Sequence, residues 1–322
     1  MRAVVVEEFG PAENLRLVDL QKPIPRPGEV IVKVAFCGVN FIDVYFRTGL
    51  YKVPPPVSIG SEASGIVDAI GDGVTDLRPG DRVAYAMVVG AYAEARNIPA
   101  DRLVKVPDGV SDQEAAALML KGLTAHYLLR RSYRAQKGDT VLFHAAAGGV
   151  GLIACQWLKA LGATVIGTVG SDAKAELARA RGCDHPIVYT REDFPKRVRE
   201  LTGGKGVPVV YDSVGKTTFQ GSLDCLRPLG LMVSFGNASG AVPPFEPGLL
   251  TQKGSLYLTR PTLATYTATR ADLEATAKDL FDMVLSGKVK IEINHTYALK
   301  DAAQVHRDLE GRKTSGSVVM LP

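Results

Sequence analysis

The sequence predicts an α/β chain of two domains, one a doubly wound parallel sheet and the other a mainly antiparallel, barrel-like β unit. Three observations carry this. The chain has 322 residues, more than one hydrophobic core usually serves. Its first part reads as short β-rich runs broken by Gly and Pro turns. Beyond Thr140, apolar runs alternate with amphipathic ones, the texture of βαβ units and therefore of a parallel sheet.

In chain order, AVVVEEF, EVIVKVAF, SGIVDAI and DRVAYAM are strands, separated by turns such as RPGE and RPGD. From Ser111 the stretch SDQEAAALMLKGLTAHYLLR carries a serine cap and then helix formers with one apolar face. Next come DTVLFHA, a helix from Gly149, ATVIGTV, a helix from Asp172, PIVYT, a helix through DFPKRVRELTGG, then GVPVVYDSV, GLMVSFGNA and GSLYLT. After Arg260 a helix through DLEATAKDLFDMVLSGK leads to the β-like run GSVVMLP, a tail expected to return to the first domain. The expected domains are 1–123 with 264–322, and 124–263.

Apolar residues make up 46% and charged residues 22%, with a net charge of +4 and no long Lys/Arg run. This is a globular balance, and it argues against a nucleic-acid or membrane surface. No stretch reaches the roughly 18 apolar residues of a membrane span, and MRAVVVEEFG turns acidic too early for a signal peptide, so a cytoplasmic protein is expected. Cys37, Cys155, Cys183 and Cys225 lie far apart, and the five histidines form no H-E-x-x-H arrangement. Neither a disulfide framework nor a zinc motif is indicated.

The stretch HAAAGGVGLIACQWLKALGA joins a strand to a helix whose Val150, Ile153, Ala154, Trp157, Leu158 and Leu161 share one face. Free N–H groups and the positive end of the dipole make such a helix start an anion site. Against the dinucleotide pattern G-x-G-x-x-G, the register Ala146-Ala147-Gly148-Gly149-Val150-Gly151 matches two glycines of three. Alanine at the first position restricts the turn, and small residues packing a helix on a sheet also explain the segment. About 20 residues on, where NAD sites place an acidic residue, the second strand ends in Thr168, Val169 and Gly170. Ser171-Asp172-Ala173-Lys174 opens the next helix with a cation in its first turn, which the dipole disfavours unless an anion is bound. The 2′-phosphate of NADPH is such an anion. A solvated lysine behind a plain serine cap is the competing account, and Asp172 puts a negative charge beside the site.

Together with GVNFIDVYFRTGLY, GSEASGIV, KGLTAHYLL, YDSVG, GLMVSFGNASG and GSLYLTRP, the glycine turn makes the chain resemble the zinc-independent quinone oxidoreductases (zeta-crystallin-like) of the medium-chain dehydrogenase/reductase superfamily over nearly its whole length. The resemblance implies a Rossmann NADPH-binding domain beside a GroES-like catalytic domain. Zinc relatives carry a cysteine and a histidine where this chain has Asn40 and Ser61. Glu62 remains, but one carboxylate cannot hold a catalytic zinc. A quinone suits this chemistry, since it accepts reducing equivalents without a Lewis acid.

By the same resemblance, Asn40, Tyr45 and Tyr51 line the nicotinamide and substrate cleft, with Phe41 and Phe46 as apolar walls and Tyr45 the best donor to a carbonyl. Asn40 and Tyr127 touch the cofactor, and Gly148, Gly149 and Val150 meet the pyrophosphate. Gly170, Ser171, Lys174 and Tyr189 surround the 2′-phosphate. Ser213, Phe235 and Asn237 lie along the nicotinamide half, and Arg260 and Arg312 are charge partners. The expected protein is an NADPH:quinone reductase without metal, acting as a homodimer on a small quinone. Reduction of α,β-unsaturated carbonyls, and noncatalytic NADPH or RNA binding, are the alternatives.

Overall fold

The computed structural model describes residues 1–322. The chain forms two compact units. One holds Met1–Leu123, Thr267–Leu285 and Ile291–Pro322, and the other Thr124–Tyr266 with Ser286–Lys290. No helix is long and apolar enough to cross a membrane.

The second unit is built on six parallel strands, in the spatial order His185–Val188, Thr164–Val169, Thr140–Phe143, Val207–Asp212, Leu226–Ser234 and Tyr257–Thr259. The central strands read as unbroken apolar runs because helices cover both faces of such a sheet. Val141, Leu142, Phe143, Val165, Ile166, Val209 and Val210 are accordingly buried. Strand order reverses between Thr140–Phe143 and Val207–Asp212, and the carboxyl ends at such a reversal are where doubly wound sheets bind ligands. The helix Gly149–Leu161 packs Leu152, Ile153, Trp157 and Leu158 inward and ends at Gly162 in the left-handed region. The helix Asp172–Ala180 follows the second strand.

The first unit carries a mainly antiparallel seven-stranded sheet. The strand Glu29–Val39 lies near its middle, paired with Glu62–Ile70, Ala95–Pro99 and the C-terminal strand Ser317–Leu321. Arg2–Val6, Leu15–Asp19 and Val57–Ser58 make a second, small sheet. One core, including Val32, Val39, Ile59, Val83, Ile98 and Val318, fills this unit. The helix Asp112–Tyr127 begins with a reciprocal cap. Ser111 Oγ accepts the Glu114 N–H (3.2 Å), and the Glu114 carboxylate accepts the Ser111 N–H (3.0 Å).

The strand Glu29–Val39 feeds through Asn40 into the short helix Phe41–Thr48, which would be marginal in isolation. A buried polar network anchors it. Asp43 accepts from Ser61 Oγ (2.6 Å), the Asn40 N–H (2.9 Å) and Tyr92 Oη (2.9 Å). Because Tyr92 gives its proton to Asp43, its oxygen is left to accept from His306 Nε2–H (3.3 Å), and His306 Nδ1 in turn accepts from Arg47 (3.4 Å). Arg47 closes the network with a bidentate pair to Glu310 at 2.7 and 2.9 Å, tying this helix to Ala302–Glu310.

Burial pushes the Asp43 carboxyl up to about 6, and burial beside Arg47 pushes His306 down to about 3. From roughly pH 4 to 6 the unfolded chain therefore holds a proton on His306 and none on Asp43, and the folded chain the reverse, so their contributions to the pH dependence of stability oppose. Substitution should separate them. Asp43→Asn leaves the depressed histidine, so stability is lost as pH falls from about 6.5 towards 3. His306→Gln leaves the raised carboxyl, so stability is lost as pH rises from about 4 to 6. Urea midpoints measured across this range check the signs, and equal slopes in the two variants would contradict the network.

Candidate functional site

In the second unit, the strand Thr140–Phe143 ends at His144 and turns through Ala145–Gly148 into the helix Gly149–Leu161. The left-handed residue is Ala145, at φ 54°. This corrects the expectation that Ala146 bears the restriction. Ala146 is fully buried, gives its N–H to Thr168 O (3.0 Å), and sets its methyl where a side chain on Gly167 would stand. Gly148 closes the turn by donating to Ala145 O (2.9 Å). A Cβ on Gly151 would come within 2.3 Å of Ala145 O and 2.8 Å of the Ala146 backbone, so only glycine lets the helix start press this close. The opening N–H groups of the helix, at Gly149, Val150 and Gly151, have no acceptor within it. Such a helix end is suited to an anion.

The neighbouring strand ends in Gly170 and Ser171. Ser171 caps the helix Asp172–Ala180, its Oγ accepting the Lys174 N–H at 3.4 Å. Tyr189 stands beside Gly170, where a Cβ would lie 2.9 Å from its hydroxyl. Gly170, Ser171, Lys174 and Tyr189 are thus gathered at one strand end. Asp172 does not present a bare charge: Arg191 grips both its carboxylate oxygens, with Nη1 to Oδ2 at 2.7 Å. Sequence reasoning missed Arg191, which arrives from a different loop.

Ser213, Phe235, Asn237 and Arg260 also converge. Phe235 N–H donates to Asp212 O (2.8 Å) and Arg260 Nη1 to Ser234 O (2.9 Å). In the amide orientation that satisfies its neighbours, Asn237 accepts from Arg260 (3.2 Å) and donates to Gly236 O (3.0 Å). Beneath these turns lies a buried network the sequence did not signal. His144 bonds Thr168 Oγ1 (2.8 Å) through Nδ1 and Ser222 Oγ (2.9 Å) through Nε2, and Ser222 donates to Asp212 (2.8 Å). Burial holds His144 below the usual histidine range. Asp212 then accepts the N–H groups of Val214 (2.7 Å) and Gly215 (3.0 Å). One network thereby ties all three strand ends together. Tyr127 lies flat on Tyr266, with ring centroids 4.6 Å apart and planes 10° apart, while Arg131 sits over the other ring at 5.2 Å.

In the first unit, Asn40 is buried and donates through Nδ2 to Glu62 (3.0 Å). Glu62 also takes an ion pair from Lys121 and the Leu120 N–H (2.5 Å). Tyr45 and Tyr51 meet edge to face at 5.2 Å, and the Tyr51 N–H donates to Tyr45 O (3.0 Å). Phe46 packs on the core and on Tyr51, and Phe41 leans on Tyr45 at 6.3 Å. Arg312 is exposed in a left-handed turn after the helix Ala302–Glu310. A groove of about 420 Å³ beside the helix Arg270–Leu285 contains none of these residues, and its cations are matched by Asp76, Asp81, Glu274 and Asp282.

Family models match twice: the alcohol dehydrogenase GroES-like domain over residues 26–108 and the zinc-binding dehydrogenase over 149–281. A quinone oxidoreductase of Pseudomonas aeruginosa is 53% identical over 98% of this chain and 97% of its own. The chain belongs to the quinone oxidoreductases of the medium-chain dehydrogenase/reductase superfamily. A solved quinone oxidoreductase of Escherichia coli, complexed with NADPH, matches over the full length of both chains at 48% identity and a TM-score of 0.99. A 2-haloacrylate reductase of Burkholderia is 45% identical over 100% of this chain and 99% of its own.

The zinc named in the second family model does not suit the residues of this chain. Asn40 and Ser61 are not zinc donors of the usual kind. Both Glu62 oxygens are already engaged, one by the Lys121 cation, and no three His, Cys, Asp or Glu side chains cluster as metal donors.

The strain at Ala145 is directly measurable. A left-handed alanine costs about 1 kcal/mol, so Ala145→Gly should be neutral to about 1 kcal/mol stabilising, after the added freedom of the unfolded chain. Ala146→Gly, which empties a buried methyl site, should lose about 1 kcal/mol. Urea unfolding of both variants tests this, and the reverse order would put the strain at Ala146 after all.

Proposed function

We propose that this chain is an NADPH-dependent quinone oxidoreductase that works without zinc and reduces a small quinone. The observation that carries this is full-length similarity to quinone oxidoreductases at about half identity, one of them solved with NADPH. The residues suit the cofactor. Gly151 keeps open the close turn that a side chain would fill, and Gly170 does the same beside Tyr189.

In this reading Gly148, Gly149 and Val150 take the pyrophosphate at the helix start. Ser171 Oγ, Lys174, the Gly170 backbone and Tyr189 surround the 2′-phosphate. Ser213, Phe235 and Asn237 flank the nicotinamide half, with Asn40 and Tyr127 as further contacts and Arg260 and Arg312 as charge partners. Bound NADPH supplies the reducing equivalents. Tyr45 and Tyr51 flank the acceptor, Tyr45 donating a hydrogen bond to its carbonyl, and the proton comes from a hydroxyl or water. Asn40 is held by Glu62, so its orientation is set before any ligand arrives.

We place the protein in the cytoplasm, in keeping with four buried free thiols, two of which, Cys155 and Cys183, lie in contact without forming a disulfide. A homodimer fits the edge strand Tyr257–Thr259, which pairs on one side only and leaves Tyr257 61% exposed. A second reading, reduction of α,β-unsaturated carbonyl acceptors, is favoured by the similarity to the 2-haloacrylate reductase.

Purified protein stripped with a chelator should oxidise NADPH only when a quinone is added, and restoring zinc should change the rate by less than twofold. NADPH binding without quinone-dependent turnover would overturn the assignment. An enone panel under the same conditions ranks the second reading, and light scattering on the same sample should give twice 34.4 kDa.

A further inference from the structure

The strands Thr164–Val169 and His185–Val188 pair in parallel with Val169 opposite Val188, so the loops that leave them rise side by side. Backbone and side-chain bonds join the loops: the Tyr189 N–H donates to Val169 O (3.1 Å), and Thr190 Oγ1 donates to Gly170 O (3.5 Å). From this second loop Arg191 reaches Asp172, the first residue of the helix that Ser171 caps. The two side chains are 57% and 72% exposed. An exposed pair of this kind contributes little to folding. Its position gives it consequence, because Asp172 is the one acidic residue among Gly170, Ser171, Asp172 and Lys174.

We propose that Arg191 is a specificity-determining residue, neutralising Asp172 so that the Ser171–Lys174 helix start accepts a 2′-phosphorylated cofactor. This rests on the NADPH reading above and adds a residue to it. An unscreened carboxylate in the first turn would repel a phosphate carrying between one and two negative charges. It would also offer an acceptor to an unmodified ribose 2′-hydroxyl, which favours NADH. Hydrogen bonding to Arg191 holds the Asp172 carboxyl below the usual range, so both members of the pair are charged at neutral pH. Glu192 faces elsewhere, accepting the Val188 N–H and pairing with Arg197.

The test is equilibrium binding of NADPH and NADH, followed by tryptophan quenching or calorimetry, for the wild-type protein, Arg191→Ala, Asp172→Asn and the double variant. A newly unscreened charge at contact range should weaken NADPH binding by Arg191→Ala roughly tenfold. NADH binding should stay within about twofold or improve, and the loss should shrink at high salt. Asp172→Asn should bind NADPH at least as tightly as wild type, and in the double variant it should restore most of what Arg191→Ala lost. A double variant as weak as Arg191→Ala would mean that Arg191 meets the phosphate directly, which overturns the screening account. Unchanged NADPH binding in Arg191→Ala would also overturn it. A wild-type protein with no preference for NADPH would instead defeat the underlying cofactor reading.

Discussion

The approach of Gly151 to the backbone of Ala145 and Ala146 is the constraint on which the nucleotide unit depends. It brings the first turn of a helix against the end of a strand, leaving no room for a side chain between them. The opening N–H groups of that helix are then aimed by two rigid elements and not by a loose loop. Alanine in the left-handed region at Ala145 is tolerated because the surrounding structure determines its conformation: Gly148 N–H returns to Ala145 O, and Ala146 N–H is taken by the next strand. The His144 network extends this rigidity sideways. Its polar groups are buried but paired, from Thr168 through His144 and Ser222 to Asp212, so it costs little to bury and fixes three strand ends relative to one another.

The other unit solves a different electrostatic problem. Glu62 is a fully buried carboxylate, and such a group persists only when a charge or donors compensate it. Lys121, Asn40 Nδ2 and the Leu120 N–H do so here. Engaging the carboxylate in this way leaves no open donor for a metal and orients Asn40, which in turn starts the helix that carries Tyr45. Asp43, one turn along, is held by a separate set of donors running through Tyr92 and His306 to the Arg47–Glu310 pair. Tyr45 stands on a helix pinned at both ends, and Tyr51, just past its end, packs against it.

Local features were legible in the sequence, and partners from distant loops were not. The alternation of apolar and amphipathic runs marked the parallel sheet, and the helix starts at Gly149 and Asp172 fall where the glycines and Ser171 placed them. The spacing of the glycine pattern pointed to Ala146 as the restricted residue. It could not reveal that the chain turns one residue earlier, because φ at Ala145 is set by hydrogen bonds to the neighbouring strand. Arg191 looked like any surface arginine until the pairing of Val169 with Val188 brought it to Asp172. The Tyr127–Tyr266 stack likewise joins segments remote in the chain, and the tail, expected in the first domain, is found there on a partner strand, Glu29–Val39, that the sequence did not name. Periodicity records which face of an element is buried, and says nothing of which other element buries it.

In the reading proposed for this molecule, the carboxyl end of the parallel sheet, shaped by Gly151 and Gly170, receives a 2′-phosphorylated dinucleotide. A crystal structure of the protein with NADPH tests it most directly. The pyrophosphate should lie within hydrogen-bond distance of the Gly149 and Val150 N–H groups, and the 2′-phosphate on Ser171 and Lys174. A cofactor bound elsewhere, or a 2′-phosphate turned into solvent away from Ser171 and Lys174, would contradict it.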